Sequence, residues 1–373
     1  MKTLKNFDKQ IYFTKVIIWE ACPFRCTYCF VDKESPIVIP IESLKKIIDL
    51  LLYSPWKNKL LHLLGWEPLL FFPIIKDAVI YANKLALKLD KDLDISFCTT
   101  WLLFDEKKLK FIAEQKIFLA WSIDWPKHIH DRNRVSISKE WTFDKIIVKK
   151  DIVLKHIENH LLWIAMTIDN NTVDELFDSY KYLVNTQWFT STINIAPVDW
   201  KFWWKEKEKR LISELVKVYD YILNEIEKGR FLYLNALNKE FRFRMLSTFR
   251  KKWRCLWFYT EAFPNGDILF NPFVNKEEDY SKYVVWNINE DSFYDDIDQY
   301  IWCHFSEWSE QCNDCKSDYF SGMNNELELV KMNKLLSFRD RISVMYAEKI
   351  RFRAQKEENF IKYIETSKNM MYV

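Results

Sequence analysis

Ala21-Cys22-Pro23-Phe24-Arg25-Cys26-Thr27-Tyr28-Cys29-Phe30 decides how the rest of the chain is read. Its C-x3-C-x2-C spacing, closed by an aromatic residue, supplies three thiolates. An iron-sulfur cluster takes four ligands, so one iron is left open to bind something else. The alternatives are a three-cysteine zinc site completed by a distant histidine, or a purely structural cluster. Structural zinc usually joins one C-x2-C pair to a second pair and leaves no open position. No partner pair follows within the next sixty residues.

Four further segments follow in order. An apolar strand from Leu60 to Leu64 runs into Gly65-Trp66-Glu67-Pro68. Next come Ser96-Phe97-Cys98-Thr99-Thr100-Trp101, then Leu119 to Pro126 with Ser122-Ile123-Asp124-Trp125-Pro126, and finally His130-Asp131-Arg132-Asn133-Arg134. The cysteine run resembles that of the radical S-adenosylmethionine (radical SAM) family. The later segments are similar to that family's Gly-Gly-Glu-Pro loop, its strand ending in Thr-Asn-Gly, its Ser-Ile-Asp-Gly-Pro turn and the His-Asp-x-x-Arg of peptide-modifying members.

The resemblance implies a 4Fe-4S cluster on Cys22, Cys26 and Cys29, with S-adenosylmethionine at the open iron. It implies reductive cleavage of that cofactor to methionine and a 5'-deoxyadenosyl radical, which takes hydrogen from a substrate. The electron would come from a donor such as ferredoxin or flavodoxin. By the same resemblance the backbone of Tyr28 touches adenine, and Gly65, Trp66 and Glu67 hold the methionine amino group. Ser122 and Asp124 take the ribose or carboxylate edge, Arg134 takes the carboxylate through a bidentate pair, and Val198 packs on adenine. No residue is assigned as a catalytic acid or base.

One anomaly runs through these segments. Where the family pattern asks for glycine, tryptophan stands at positions 66, 101 and 125, and again at Trp141, Trp257 and Trp286. Glycine is 4 of 373 residues and tryptophan is 17, whereas glycine alone ordinarily makes up about 7%. Glycine enters positive-φ turns at no steric cost and lets a ligand approach the backbone; tryptophan does neither. The expectation is that many of these residues are glycine in the functional protein, encoded by UGA codons that the source reads as glycine. The alternative is a protein truly rich in tryptophan, with an aromatic binding surface.

At 373 residues the chain is long enough for two joined parts with large cores. With 55 basic and 53 acidic residues the net charge is +2, which gives no global pull toward nucleic acid or an anionic membrane. Met1 to Lys15 lacks the apolar core of a signal peptide, and no uncharged apolar stretch is long enough to span a bilayer. The protein is expected to be cytoplasmic. Its eight cysteines then read as metal ligands rather than disulfides, in an anaerobic setting.

Short apolar runs alternate with helix-like segments, the signature of βα repeats around a parallel sheet. Strands are predicted at Tyr12 to Ile18, Lys59 to Leu64, Asp94 to Thr99, Phe118 to Ile123, Leu161 to Ile168 and Thr192 to Pro197. Helices are predicted at Ile41 to Tyr53, Pro73 to Leu89, Glu106 to Glu114, Thr142 to His156 and Thr172 to Asn185. A charged helical run from Lys205 to Lys228 follows, with Gly229 as its C-cap. The expected fold is α/β, a partial (β/α)6 TIM-like barrel with a small C-terminal cysteine-containing α+β extension and a helical tail. In such barrels active groups sit at the carboxyl ends of strands. The boundaries are 1–233 for the core, 234–326 for the extension and 327–373 for the tail.

In the extension, Cys255, Cys303, Cys312 and Cys315 form a second group, with Pro264-Asn265-Gly266-Asp267-Ile268 read as a hairpin turn between its members. Four thiolates would satisfy zinc equally well. Attached to a radical SAM core, the group resembles the SPASM or twitch extension, which holds auxiliary iron-sulfur clusters. The usual cysteine after the turn is Asn271 or Pro272, and another is Ser321. At most one auxiliary cluster is therefore expected, and a family catalytic acid beside the missing cysteine is in doubt.

Cys98 reads as a buried small hydrophobe, and His62 as a residue of the barrel interior. His128 and His304 have no assignable partner. The features resemble anaerobic sulfatase-maturing enzymes and peptide maturases, so the resemblance implies a peptide or protein side chain as substrate. No separate peptide-recognition domain is expected before the barrel. Two other readings stay open: a non-catalytic or regulatory iron-sulfur protein, and a radical enzyme acting on a small molecule.

Overall fold

The computed structural model describes residues 11–19, 21–29, 37–186, 192–198, 204–238, 258–270, 284–290, 342–343 and 345–367. Cys255, Cys303, Cys312, Cys315 and Trp257 lie outside the described residues. In chain order the elements are β1 (Ile11–Ile17), α1 (Ile41–Tyr53), β2 (Asn58–Leu64), α2 (Phe72–Lys88), β3 (Asp92–Thr99), α3 (Glu106–Glu114) and β4 (Phe118–Ser122). Then come α4 (Lys127–Asn133), α5 (Phe143–Ile147), α6 (Lys150–His156), β5 (Leu162–Ile168), α7 (Leu176–Asn185), β6 (Thr192–Pro197) and α8 (Lys205–Glu227). The chain closes with β7 (Phe258–Ala262), β8 (Asp267–Phe270), β9 (Val284–Asn287) and α9 (Glu358–Ser367).

These elements pack as two compact units that alternate along the sequence. One comprises Met1–Cys22, Phe30–Thr99 and Cys255–Asn325; the other comprises Pro23–Cys29, Thr100–Arg254 and Glu326–Val373. In the first unit the strand order is β3-β2-β1-β7-β8-β9. The β1, β2, β3 and β7 pairings are parallel, and β7-β8-β9 is an antiparallel meander. The turn between β7 and β8 is the expected hairpin, with Gly266 at φ +95°. Leu60, Leu61 and Leu63 are all buried, as befits a parallel strand covered on both faces. Leu44, Ile47, Ile48 and Leu51 are buried on α1, an apolar stripe at helical spacing.

In the second unit β4, β5 and β6 pair in parallel, with Trp121 opposite Ile164 and Met166 opposite Ile195. The Asp105 carboxylate accepts the Lys108 N–H at 2.8 Å and fixes the start of α3. Gly229, at φ +77°, follows the end of α8. Its N–H donates to Ile226 O, and the Arg230 N–H donates to Glu225 O, each at 2.9 Å. That pair of bonds is a Schellman closure.

Sequence and structure differ over Thr142 to His156. The predicted single helix is two helices, α5 and α6, parted at Val148 and Lys149. Three consecutive β-branched residues, Ile146-Ile147-Val148, crowd the preceding turn and weaken helix propagation there. No described helix is long and apolar enough to cross a membrane.

Candidate functional site

In the first unit β2 ends at Leu64, and the chain passes through Gly65 and Trp66 to Glu67. A Cβ on Gly65 would stand 3.2 Å from the Trp19 carbonyl oxygen, and Trp66 N–H donates to that same oxygen at 3.3 Å. The backbones approach so closely that a side chain at position 65 would be crowded, and its neighbour would have to give by a few tenths of an ångström. Glu67 is fully buried. Its Oε1 accepts the Leu69 N–H at 3.2 Å and the Thr99 hydroxyl at 2.6 Å. The carboxylate is therefore fixed by its own helical turn and by the end of β3. Cys22 lies in this unit and is buried.

In the second unit the loop carrying Cys26 and Cys29 is strapped to the segment after α4. Arg25 N–H donates to Val135 O at 2.7 Å, Thr27 N–H to Asn133 O at 2.8 Å, and Ile137 N–H to Pro23 O at 2.9 Å. A turn closes between the two cysteines, with Cys29 N–H on Cys26 O at 3.0 Å. The straps bring Tyr28 to Asp124, whose Oδ2 accepts the phenol at 2.8 Å. Asp124 Oδ1 accepts Arg134 Nη2 at 3.0 Å and Thr167 N–H at 3.0 Å. Asp124 and Arg134 are both buried, and the guanidinium carbon stands 5.5 Å from the Tyr28 ring centroid.

The electrostatics follow from that burial. Desolvation would lower the Arg134 pKa, but the Asp124 charge, with Tyr28 and Cys26, holds it well above its ordinary value. Burial raises the Tyr28 phenol well above the usual range. Both therefore keep their protons at neutral pH, and Asp124 is held by donors.

His130 positions this pair. Its Nδ1 accepts the Asp124 N–H at 3.3 Å, so the ring proton sits on Nε2 and is donated to Thr142 Oγ1 at 3.1 Å. The Thr142 hydroxyl in turn donates to the Arg134 carbonyl. Asp131 Oδ1 accepts the N–H groups of Thr142 and Phe143 at 3.0 and 2.8 Å and so caps α5.

Burial, with the Arg134 charge beside it, pushes the His130 imidazole down to about 4. An unfolded histidine titrates near 6.5. The stability supplied by neutral His130 is therefore fully present above about pH 6.5 and is lost as pH falls toward about 4. The full loss is about 3 kcal/mol. Urea midpoints at pH 7 and pH 4.5 should show a steeper acid loss for the wild-type protein than for His130→Asn. Equal slopes would remove His130 from this role.

Ser122 stands at the end of β4, opposite Ala165, and Val198 follows β6 with its N–H on Ile168 O at 2.8 Å. Sequence reasoning missed Thr99, Thr167 and the His130 ring. Thr99 and His130 lie inside quoted segments, so only the direction of their side chains was hidden; Thr167 lies in no motif.

Three properties of the chain bear on a three-thiolate cluster with a charged cofactor. None of the described cysteines is in a disulfide. Cys26 and Cys29 are part-exposed on a turn, and thiolates suit iron. Among the described residues Arg134 Nε is buried without a hydrogen-bond partner, which fits an anionic group arriving from outside the chain. The same residues contain no ready-made group of three metal-binding side chains. The donor set is thus supplied by type and spacing, and a cluster would complete its arrangement.

At position 101 the backbone has φ +68°, and the Trp101 indole, fully buried, stacks on Trp121 at 4.1 Å between centroids. A bulky residue in that conformation is an outlier. Trp19 and Trp163 bury their indole nitrogens without an acceptor among the described residues.

Residues 16–182 match the model of the radical SAM superfamily. A cysteine-type anaerobic sulfatase-maturating enzyme of Clostridium perfringens is 27% identical over 173 residues, 43% of this chain and 45% of its own length. The corresponding enzyme of Clostridium novyi is 22% identical over 169 residues. This chain thus spans about half the length of the curated relatives it matches. The solved structure of hexahistidine-tagged anSMEcpe with bound AdoMet superposes with a TM-score of 0.68 at 17% identity, covering 95% of this chain and 98% of that one. Streptococcus suis SuiB bound to precursor peptide SuiA gives 0.51 at 16% identity, covering 72% and 61%. The shared fold is the expected α/β one with a parallel sheet, and residues 16–182 carry the match to the radical SAM superfamily.

Proposed function

We propose that the chain is a radical SAM enzyme that acts on a side chain of a peptide or protein. The observation that carries this reading is the tie between the Cys26–Cys29 loop and the buried Asp124–Arg134 pair, made through Tyr28 and the backbone straps. The sulfatase-maturating relatives and the peptide-bound SuiB structure support the substrate class. Cys22, Cys26 and Cys29 would hold a 4Fe-4S cluster, which with S-adenosylmethionine would supply radical hydrogen abstraction.

The chain's own residues bind and orient the cofactor. Glu67, anchored through Oε1 by Leu69 N–H and Thr99, receives the amino group beside Gly65 and position 66. Arg134 offers its unpartnered Nε–H to the carboxylate, while Asp124 and Tyr28 prevent the guanidinium from turning away. Ser122 lines the ribose edge, and Val198 packs against adenine. Residues 1–233 form the core, 234–326 an extension whose Cys255, Cys303, Cys312 and Cys315 hold one auxiliary iron-sulfur cluster, and 327–373 a tail. The protein works in the cytoplasm with a ferredoxin- or flavodoxin-type donor.

Anaerobic reconstitution with iron and sulfide, followed by reductant and S-adenosylmethionine, tests the reading. Protein isolated from its own cells is expected to take up iron and to release 5'-deoxyadenosine. A Cys22→Ala/Cys26→Ala/Cys29→Ala variant is expected to lose the nucleoside product entirely. Protein from its own cells that binds iron but forms no nucleoside would favour the regulatory iron-sulfur alternative.

A further inference from the structure

Four polar residues lie side by side across the sheet of the first unit. The strand registers set Glu261 of β7 opposite Lys15 of β1, Lys15 opposite His62 of β2, and His62 opposite Ser96 of β3. Lateral partners in a sheet point to the same face, so the four form one row. They are joined in pairs: Lys15 Nζ lies 2.5 Å from Glu261 Oε1, and His62 Nδ1 lies 2.7 Å from Ser96 Oγ. Glu261, His62 and Ser96 are buried. On the same face the neighbouring positions of β1 and β2 are apolar, Phe13 and Leu60 on one side and Ile17 and Leu64 on the other, while β3 places Asp94 beside Leu60.

The face itself is identified by Lys59, which reaches back to Ser54 at the end of α1. Leu61 and Leu63 share the Lys59 face, whereas His62 points away from that helix. Along β2 the row lies three residues before Gly65, about 10 Å from it. A half-buried ion pair beside a buried imidazole is weak packing, since apolar residues in place of buried charges are often neutral or stabilising by about 1–4 kcal/mol. The row is therefore better explained by something it binds.

Its chemistry narrows the ligand. Burial, with the Lys15 charge beside it, pushes the His62 imidazole down to about 3, so the ring is neutral under working conditions. Among the described residues Nδ1 is the nitrogen engaged, by Ser96. Nε2 is then the atom with hydrogen-bonding capacity to offer. Lys15 and Glu261 neutralise each other, and a charged ligand would have to break their 2.5 Å contact. The row selects an uncharged polar group.

We propose that Glu261, Lys15, His62 and Ser96 form a substrate subsite that receives an uncharged hydrogen-bonding side chain, a thiol, hydroxyl or carboxamide, through His62 with the Lys15–Glu261 pair excluding charged ones. This deepens, and rests on, the peptide-substrate reading given above. His62 acts as a specificity-determining residue rather than as an acid or base.

The test measures binding separately from chemistry. Short fluorescent peptides identical except for one position, carrying Cys, Ser, Asn, Asp, Lys or Leu, are titrated into the anaerobic iron-loaded protein and followed by anisotropy. Wild-type protein is expected to favour Cys, Ser and Asn over Asp, Lys and Leu by roughly tenfold. His62→Leu is expected to abolish that preference, and Ser96→Ala to weaken it by roughly threefold. Iron content and 5'-deoxyadenosine release without peptide should be unchanged in both.

A preference unchanged in His62→Leu overturns the proposal, as does wild-type protein that binds none of the peptides or binds all alike. If His62→Leu loses iron, Ser96→Ala decides, and its unchanged preference also overturns the proposal. A protein that forms no 5'-deoxyadenosine yet shows the binding pattern would defeat the enzymatic reading while leaving the subsite intact.

Discussion

Protein isolated from its own cells is expected to be lighter than the 373-residue sequence by one tryptophan-to-glycine difference at each of several positions, Trp66, Trp101 and Trp125 among them. The backbone argues this most directly at position 101. Its φ of +68° costs a residue bearing a Cβ about 1–2 kcal/mol and costs glycine nothing. Indole N–H groups buried without an acceptor, as at Trp19 and Trp163, cost about 1–3 kcal/mol each. Bulk is the larger effect: Trp66 sits between the two residues assigned to the cofactor amino group. A Trp66→Gly/Trp101→Gly/Trp125→Gly variant is expected to turn a recombinant protein without detectable 5'-deoxyadenosine release into one that forms it. A native mass equal to that of the sequence would end the idea. So would a loss of about 3–5 kcal/mol in the triple variant, the ordinary cost of emptying a core built around tryptophan.

Replacing Arg134 by methionine is expected to cost about 3–5 kcal/mol, because it leaves the Asp124 carboxylate buried without its cation. For a domain of this size that corresponds to a fall in Tm on the order of 10 °C. Tyr28 and Thr167 N–H still donate to Asp124, so the loss should be partial. Asp124→Asn with Arg134→Met should recover part of the stability without restoring S-adenosylmethionine binding. Arg134→Lys should keep the fold better than it keeps binding, since an ammonium cannot serve Asp124 and the cofactor from one rigid fork. Calorimetry and equilibrium dialysis separate the two effects. Unchanged S-adenosylmethionine affinity in Arg134→Met would remove that residue from the cofactor site.

Much of the barrel was legible because its signals are local. Ile41–Tyr53 and Glu106–Glu114 have the predicted bounds, where apolar spacing and flanking turn residues agree. The strands were found within a residue or two, since continuous apolar runs such as Leu60 to Leu64 mark parallel strands. The break inside Thr142 to His156 was not foreseen, because the helical period continues through it and only the β-branched run opposes it. At the candidate site, spacing singled out Cys22, Cys26, Cys29, Glu67, Asp124 and Arg134. What spacing could not give was direction: that Glu67 leans on Thr99, that His130 carries its proton on Nε2, or that Lys15, His62, Ser96 and Glu261 share one row. Those depend on register between strands far apart in sequence.

The described segment 345–367 carries a consequence for synthesis. Tyr346 stacks on Tyr219 at 4.8 Å and bonds Asp220, Arg353 pairs with Glu227, and Tyr363 bonds Leu232 O at 3.0 Å. The partners of α8 are thus translated more than a hundred residues after it. At ordinary elongation rates that is on the order of ten seconds during which the nascent chain holds the helix without its cover. A ribosome-bound chaperone that covers this face of α8 during the interval would raise the yield of folded protein.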